Sequence, residues 1–114
     1  MNQAIYDRLI ETAQAEDVTY YSEIAPLAGL DMDSEPDRDR ISQLLGEIST
    51  FEYQHGRPLL SAAVIHFEDN MPGRGFFTLA RQLGFSWQGR DYMFFAKELR
   101  RVHDHWKPDA TQRK

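Results

Sequence analysis

One long apolar run, from Leu59 to Phe67, stands apart from the periodic patterns on either side of it. Nearly continuous apolar character over such a length is typical of a β-strand that is covered on both faces. The segment 68–73 that follows combines acidic residues with asparagine, proline and glycine, which favours a turn. The pattern therefore predicts a central buried strand that ends in a turn.

Four other segments repeat apolar residues every three or four positions, which predicts amphipathic helices. These segments are 2–16, 36–53, 75–83 and 90–107. Gly84 follows the third segment directly, at the position of a C-terminal cap. The spacing in the last segment predicts a buried face made of Tyr92, Phe95, Leu99, Val102 and Trp106.

Two short elements are predicted between the first two helices. Residues 18–21 are β-branched or aromatic, which favours a brief strand. A short helix should follow over residues 23–28, capped by Ser22 or Thr19 and closed by Gly29.

Together these elements predict an α+β fold. We expect a small winged-helix-like domain, with about five helices around a short two-stranded sheet. The single domain should span residues 1–107. Because Pro108 stops the last helix, residues 108–114 should form a flexible C-terminal tail.

Composition excludes several classes of site. The chain contains no cysteine, so disulfides, thiolate metal sites and cysteine nucleophiles are ruled out. Its first residues lack the pattern of a signal peptide, and no apolar run approaches the roughly 18 residues of a membrane span. We expect a cytoplasmic protein with no membrane partner.

Charge is distributed unevenly along the chain, whose formal net charge is −5. Residues 1–56 contain 3 Lys/Arg and 12 Asp/Glu, a balance of −9. Residues 57–114 contain 10 Lys/Arg and 6 Asp/Glu, a balance of +4. Such asymmetry suits two surfaces with different partners, or two halves that attract each other within one fold.

A short motif near the start of the chain carries a family resemblance. The sequence Val-Thr-Tyr-Tyr-Ser-Glu-Ile-Ala at residues 18–25, with Leu-Ala-Gly at 27–29, resembles the DNA-binding domain of alkylguanine-DNA alkyltransferases and alkyltransferase-like proteins. The resemblance covers residues 18–66 and implies a winged helix whose second helix enters the minor groove. Where that family has its reactive Pro-Cys-His-Arg, this chain has Pro-Leu-Leu-Ser at 58–61. The helix that would enter the groove, 36–53, also carries Asp37, Asp39 and Glu47 beside its arginines. The resemblance thus implies a winged-helix-like fold and not the recognition of alkylated DNA.

A second resemblance is carried by two other short sequences. Gly-Arg-Pro-Leu-Leu-Ser at 56–61 and Pro-Gly-Arg-Gly-Phe-Phe at 72–77 resemble those of an uncharacterised bacterial family, which brings no activity with it.

Gly73-Arg74-Gly75, at the start of the third predicted helix, is a candidate anion site. Backbone amides at a helix N-terminus, next to an arginine, suit a phosphate group. The alternative is a structural turn in which Arg74 pairs with Glu68 or Asp69.

His66 and Glu68 are weak candidates for metal ligands, because alternate residues of a strand share one face. Two ligands are too few for a site, so His55 or Glu47 would have to complete it. The alternative is a polar strand end that enters a solvated turn. We expect neither a metal nor a cofactor.

The preferred hypothesis is a non-enzymatic protein that binds nucleic acid through its basic second half. The candidate contacts are Arg57, Arg74, Arg81, Arg100 and Arg101. Arg57 also has a structural alternative, an ion pair with Glu47 or Glu52. The other hypotheses are a protein–protein adaptor or inhibitor that uses the acidic first half and, third, a small metal-dependent enzyme at His66 and Glu68.

Overall fold

The computed structural model describes residues 1–108 and contains five α-helices and two short strands. The predicted tail lies outside the described residues, apart from Pro108. The helices and strands are α1 (Gln3–Gln14), β1 (Thr19–Tyr20), α2 (Tyr21–Ile24), α3 (Glu35–Gln54), β2 (Val64–Ile65), α4 (Arg74–Gln82) and α5 (Asp91–Trp106). Two 3₁₀ turns, Ala25–Ala28 and Leu60–Ala63, complete the described chain. The predicted α+β class, with five helices and a two-stranded sheet, is confirmed.

Local capping fixes several of the helix ends. The Asn2 side chain accepts a hydrogen bond from the Ile5 amide and begins α1, as predicted. Gly29 and Gly84 close their helical turns in the left-handed conformation, with φ of 70° and 102°. The predicted caps of the second helix are wrong, because Glu23 takes this role. Its carboxylate accepts hydrogen bonds from the Tyr20 amide and from the Thr19 hydroxyl.

The predicted central strand, 59–67, is wrong in its length and right in its burial only for residues 59–65, since Phe67 is exposed. Residues 59–65 are all buried, but 60–63 form a 3₁₀ turn and only Val64 and Ile65 form a strand. β2 pairs in parallel with β1, Thr19 opposite Val64 and Tyr20 opposite Ile65. Since β1 has two residues, the sheet offers no partner for a longer strand. The 3₁₀ turn makes some backbone hydrogen bonds of its own, such as that from the Ala62 amide to the Leu59 carbonyl, and side chains of α3 and α5 accept from other amides. The run can therefore be buried without a neighbouring strand.

Polar groups inside the buried run have specific partners. Ser61, in the 3₁₀ turn, lies with its hydroxyl oxygen 2.6 Å from that of Ser49 on α3. The Ser61 amide also donates to the Ser49 hydroxyl oxygen, at 3.0 Å. These bonds attach the turn to α3 and remove the cost of burying two serines.

The buried face of α5 differs from the predicted one. Phe95 and Val102 are buried as predicted, whereas Tyr92 is largely exposed. Phe94 and Glu98 are buried in addition. Tyr92 has the spacing of the predicted face but is exposed. Glu98, on the adjacent helical row, is buried because the Leu59 amide and Arg101 donate hydrogen bonds to its carboxylate.

Within residues 1–108, no helix has both the length and the apolar composition needed to cross a membrane.

The first prediction compares the same substitution at a buried and an exposed position of one segment. Val64→Asp should abolish cooperative folding, because it removes burial worth about 1.5–3 kcal/mol and places a carboxylate in the core. Phe67→Asp is the control, since Phe67 is 74% exposed. Thermal melting followed by circular dichroism measures both. A Val64→Asp variant that melts within a few degrees of the unchanged protein would contradict the buried position of β2.

Candidate nucleic-acid interface

An open groove on the described chain lies between the 83–90 connection and α5. Its volume is about 780 Å³, and its apolar floor consists of Phe85, Trp87, Met93 and Phe94. The groove exists because α4 ends sharply: the Gly84 amide donates to the Arg81 carbonyl and the Phe85 amide to the Ala80 carbonyl. This C-terminal motif turns the chain back toward α5 and brings the aromatic residues over it.

Trp87 is held in a fixed orientation at the groove floor. Its ring stacks on Phe94 with centroids 4.1 Å apart and an interplanar angle of 10°. The Trp87 indole N–H donates to an Asp91 carboxylate oxygen at 3.0 Å. Arg81 completes the arrangement, with its guanidinium carbon 3.9 Å from the Trp87 ring centroid. These contacts fix the Trp87 ring and cover both of its faces.

One row of α5 supplies a basic wall to the groove. Lys97, Arg100 and Arg101 line it, at the spacing of i, i+3 and i+4 that places side chains on one helical face. All three side chains are exposed. Within residues 1–108 the structure records no ion pair for Lys97 or Arg100, so their charges face solvent uncompensated. The predicted candidates Arg100 and Arg101 are therefore brought together at one groove.

Arg101 differs from its neighbours because it pairs with a buried carboxylate. Its Nη1 donates to Glu98 Oε1 at 2.6 Å. The other carboxylate oxygen of Glu98 accepts the Leu59 amide at 2.8 Å. Glu98 is 2% exposed and so joins α5 to the buried 59–65 segment. Nothing in the sequence pattern singled out Glu98; its i, i+3 spacing to Arg101 was the one available signal.

Arg81 lies at the margin of the groove and is partly engaged. Besides covering Trp87, its guanidinium lies 3.6 Å from the Asp91 carboxylate, and both side chains are about half exposed. Exposed pairs of this kind contribute little to stability and are screened by salt. A polyanion could therefore compete with Asp91 for Arg81.

Arg57 and Arg74, the other two predicted contacts, do not line the groove. Arg57 makes the structural ion pair that was its alternative role: Nε and Nη2 donate to the two carboxylate oxygens of Glu52, at 3.0 and 2.8 Å. These hydrogen bonds raise the pKa of Arg57 further, and the Tyr6 hydroxyl also donates to the buried Glu52 carboxylate. A bidentate pair with a buried partner is costly to break, so Arg57 is committed to the fold.

The predicted anion site at Gly73-Arg74-Gly75 is only partly open. The Gly73 amide already donates to the Tyr21 hydroxyl at 2.8 Å. Gly75 lies against α3, where an added Cβ would come within 2.5 Å of the Ser42 hydroxyl oxygen. Arg74 is exposed, and residues 1–108 contain no ion pair between it and Glu68 or Asp69. The Gly73 amide is therefore engaged and Gly75 serves close packing, while the Arg74 side chain remains for an anion.

His66 and Glu68 lie at the end of β2 with no further ligands beside them. The His66 ring stacks on Tyr21, with centroids 4.3 Å apart. Glu68 is exposed in the following turn, while a ring nitrogen of His55 is hydrogen-bonded to the Phe51 carbonyl on α3. In the part of the chain that the structure describes, no three His, Cys, Asp or Glu side chains gather as a metal site would require.

Comparison of the chain with protein-family models, with curated proteins and with solved structures gives no significant match. The geometry and charge of the candidate site are therefore the basis for its assignment.

The second prediction concerns the buried carboxylate of Glu98. Glu98→Gln should lower the free energy of unfolding by about 1.5–3 kcal/mol, because it removes a charge-assisted hydrogen bond to Arg101. Asp104→Asn is the matched control on the same helix: its pair with Lys107 is exposed, so the change should stay below about 1 kcal/mol. Urea unfolding measures both. Equal effects would show that Glu98 does not anchor α5.

The third prediction follows from Tyr21, whose pKa is raised above its ordinary value mainly by burial. The unfolded chain then releases this proton first, so the contribution of Tyr21 to stability is complete below about pH 10 and is lost as the pH rises through the folded pKa. In Tyr21→Phe, the free energy of unfolding should therefore decrease less steeply as the pH rises above about 10. Some decrease should remain, because burial also raises the pKa of Tyr6.

Urea unfolding at several pH values between about 8 and 11 tests this dependence. Tyr92→Phe, which removes an exposed tyrosine, is the control. An alkaline slope that is the same in Tyr21→Phe and in the unchanged protein would contradict the role of Tyr21.

Proposed function

We propose that this protein is a non-enzymatic nucleic-acid-binding domain that contacts phosphates through the basic wall of the groove. The observation that carries the proposal is the row Lys97, Arg100 and Arg101, in which two cations have no ion pair within residues 1–108. Cations that are not neutralised by the fold attract a polyanion and release its counterions on binding. Arg81, and Arg74 at the start of α4, are secondary phosphate contacts.

Two helices, α3 and α5, are candidates for the nucleic-acid contact. We retain the winged-helix description and the resemblance to the alkyltransferase DNA-binding domain as part of this proposal, and in that family the helix corresponding to α3 contacts DNA. However, α3 begins with Glu35 and Asp37, and its exposed residues include Asp39 and Glu47. These carboxylates repel phosphates, whereas α5 presents a basic row. We therefore assign the main contact to α5.

Phosphate contact without base recognition implies a modest affinity. Non-specific binding of this kind has a dissociation constant of roughly 10⁻⁶–10⁻⁴ M at physiological salt. The negative net charge of the whole chain works against binding, so the interaction depends on the local field of the groove rather than on the overall charge. Nucleic acid also suits the cytoplasmic location expected from the sequence.

A protein partner on the acidic half is the second candidate. Exposed carboxylates cluster ahead of and along the start of α3, at Asp31, Asp33, Glu35 and Asp39. Such a face would attract a basic protein surface and would leave the α5 groove without a role.

The fourth prediction compares two charge reversals of equal size. Lys97→Glu with Arg100→Glu should reduce binding to labelled single and double strands at least tenfold at about 50 mM salt. For a duplex, the slope of log K against log salt should also become shallower, by about 0.9 for each phosphate that the double variant no longer neutralises. Fluorescence anisotropy measures both, and thermal melting confirms that the variant is folded.

Arg38→Glu with Arg40→Glu is the control, since both arginines are exposed on α3 and the net charge changes equally. Its affinity should fall much less than that of the groove variant. Equal reductions in the two variants would assign binding to net charge alone. Absence of binding to either nucleic acid by the folded protein would overturn the proposal and favour the protein partner.

A further inference from the structure

We propose that the groove selects single-stranded nucleic acid by holding an unpaired base on its aromatic floor. This inference rests on the proposed function, because it names the class of nucleic acid that the same groove takes. It is carried by the position of the apolar floor directly beside the basic wall.

The floor has no use in a purely phosphate-binding surface. Phe85, Trp87 and Met93 line it, and the Met93 side chain is 64% exposed although it belongs to a well-formed helix. Contact with a sugar–phosphate backbone would not bury the apolar surface that lies open beside these cations. Contact with a base would bury it favourably, because a base has an apolar flat face and a polar edge.

The chemistry of the groove matches one polymer in particular. A single strand exposes both its phosphates and its base faces, whereas a duplex stacks its bases inside the helix. Lys97 and Arg100 can take the phosphates while a base rests against the floor. Ser86 and Gln88, which also line the groove, supply a hydroxyl and an amide for the polar edge of the base.

The size and rigidity of the groove agree with this occupant. Its volume of about 780 Å³ lies within the range of roughly 300–1,000 Å³ that small-ligand sites occupy. Phe94 covers one face of the Trp87 ring and Arg81 covers the other, so a base stacks on Trp87 only after a phosphate has drawn Arg81 away from it. An acidic amphipathic peptide would meet the same charges, but it would not stack on the Trp87 ring.

Three probes of equal length separate the contributions: a deoxythymidylate strand, an abasic strand with the same phosphates, and a duplex. The deoxythymidylate strand should bind the full chain about tenfold more tightly than the abasic strand or the duplex, because stacking of bases on side chains adds to phosphate contact. It should also change the fluorescence of Trp87. Trp106→Phe removes the second tryptophan signal, and Trp106 Nε1 has no hydrogen-bond partner in the described chain to lose.

Two neighbouring substitutions on α5 localise the effect. Met93→Ala should weaken binding of the deoxythymidylate strand several-fold and leave duplex binding unchanged, since it removes floor and no charge. Tyr92→Ala is the control, because Tyr92 is similarly exposed, at 56%, but does not line the groove. Melting temperatures of both variants confirm that they fold.

The outcomes distinguish this inference from the proposed function. Equal affinity for the three probes would leave phosphate binding intact and overturn base recognition. Thymidine monophosphate binding as tightly as the strand would assign the groove to a small molecule and overturn the inference. Absence of binding to all nucleic acids, together with binding of an acidic amphipathic peptide, would overturn both proposals.

Discussion

The buried carboxylate of Glu98 is the group on which the arrangement of the candidate site depends. It accepts the amide of Leu59 with one oxygen and the guanidinium of Arg101 with the other. A carboxylate removed from water needs such donors, so α5 packs where the Leu59 amide reaches Glu98, while Arg101 on α5 itself supplies the second donor. That requirement sets the rotation of α5 and places Lys97 and Arg100 along the groove. The basic wall is thus a consequence of how a negative charge is buried.

Pairing with buried carboxylates decides which cations remain for a ligand. Arg57 is committed to Glu52 and Arg101 is partly committed to Glu98, whereas Lys97 and Arg100 have no ion pair in residues 1–108. All four residues belong to the basic half of the sequence, and only for Arg57 did the sequence also predict an ion pair. The difference arises from three-dimensional contacts, in which a buried carboxylate holds its partner strongly and solvent leaves the others available.

The central apolar run shows where a hydrophobic pattern stops being informative. Continuous apolar character indicated the burial of residues 59–65 correctly, because burying apolar side chains is favourable, but not that of Phe67, which is exposed. It did not determine the backbone, since a buried strand and a buried 3₁₀ turn have the same composition. The length of β1 limits the strand, because its two residues pair with Val64 and Ile65 and leave residues 60–63 without a strand partner. Ser61 then found its partner in Ser49, twelve positions away.

The sequence by itself determined the features that neighbouring residues control: the helix starts and ends at Asn2, Gly29 and Gly84, the α+β class and the unequal division of charge. These follow from capping, left-handed turns and side-chain periodicity, which act over a few residues. Only the tertiary structure decided the groove, its aromatic floor and the inward position of Glu98. The groove depends on how the 83–90 connection packs against α5. The position of Glu98 needs the Leu59 amide from a distant segment, and no local pattern encodes which donor will meet a buried acceptor.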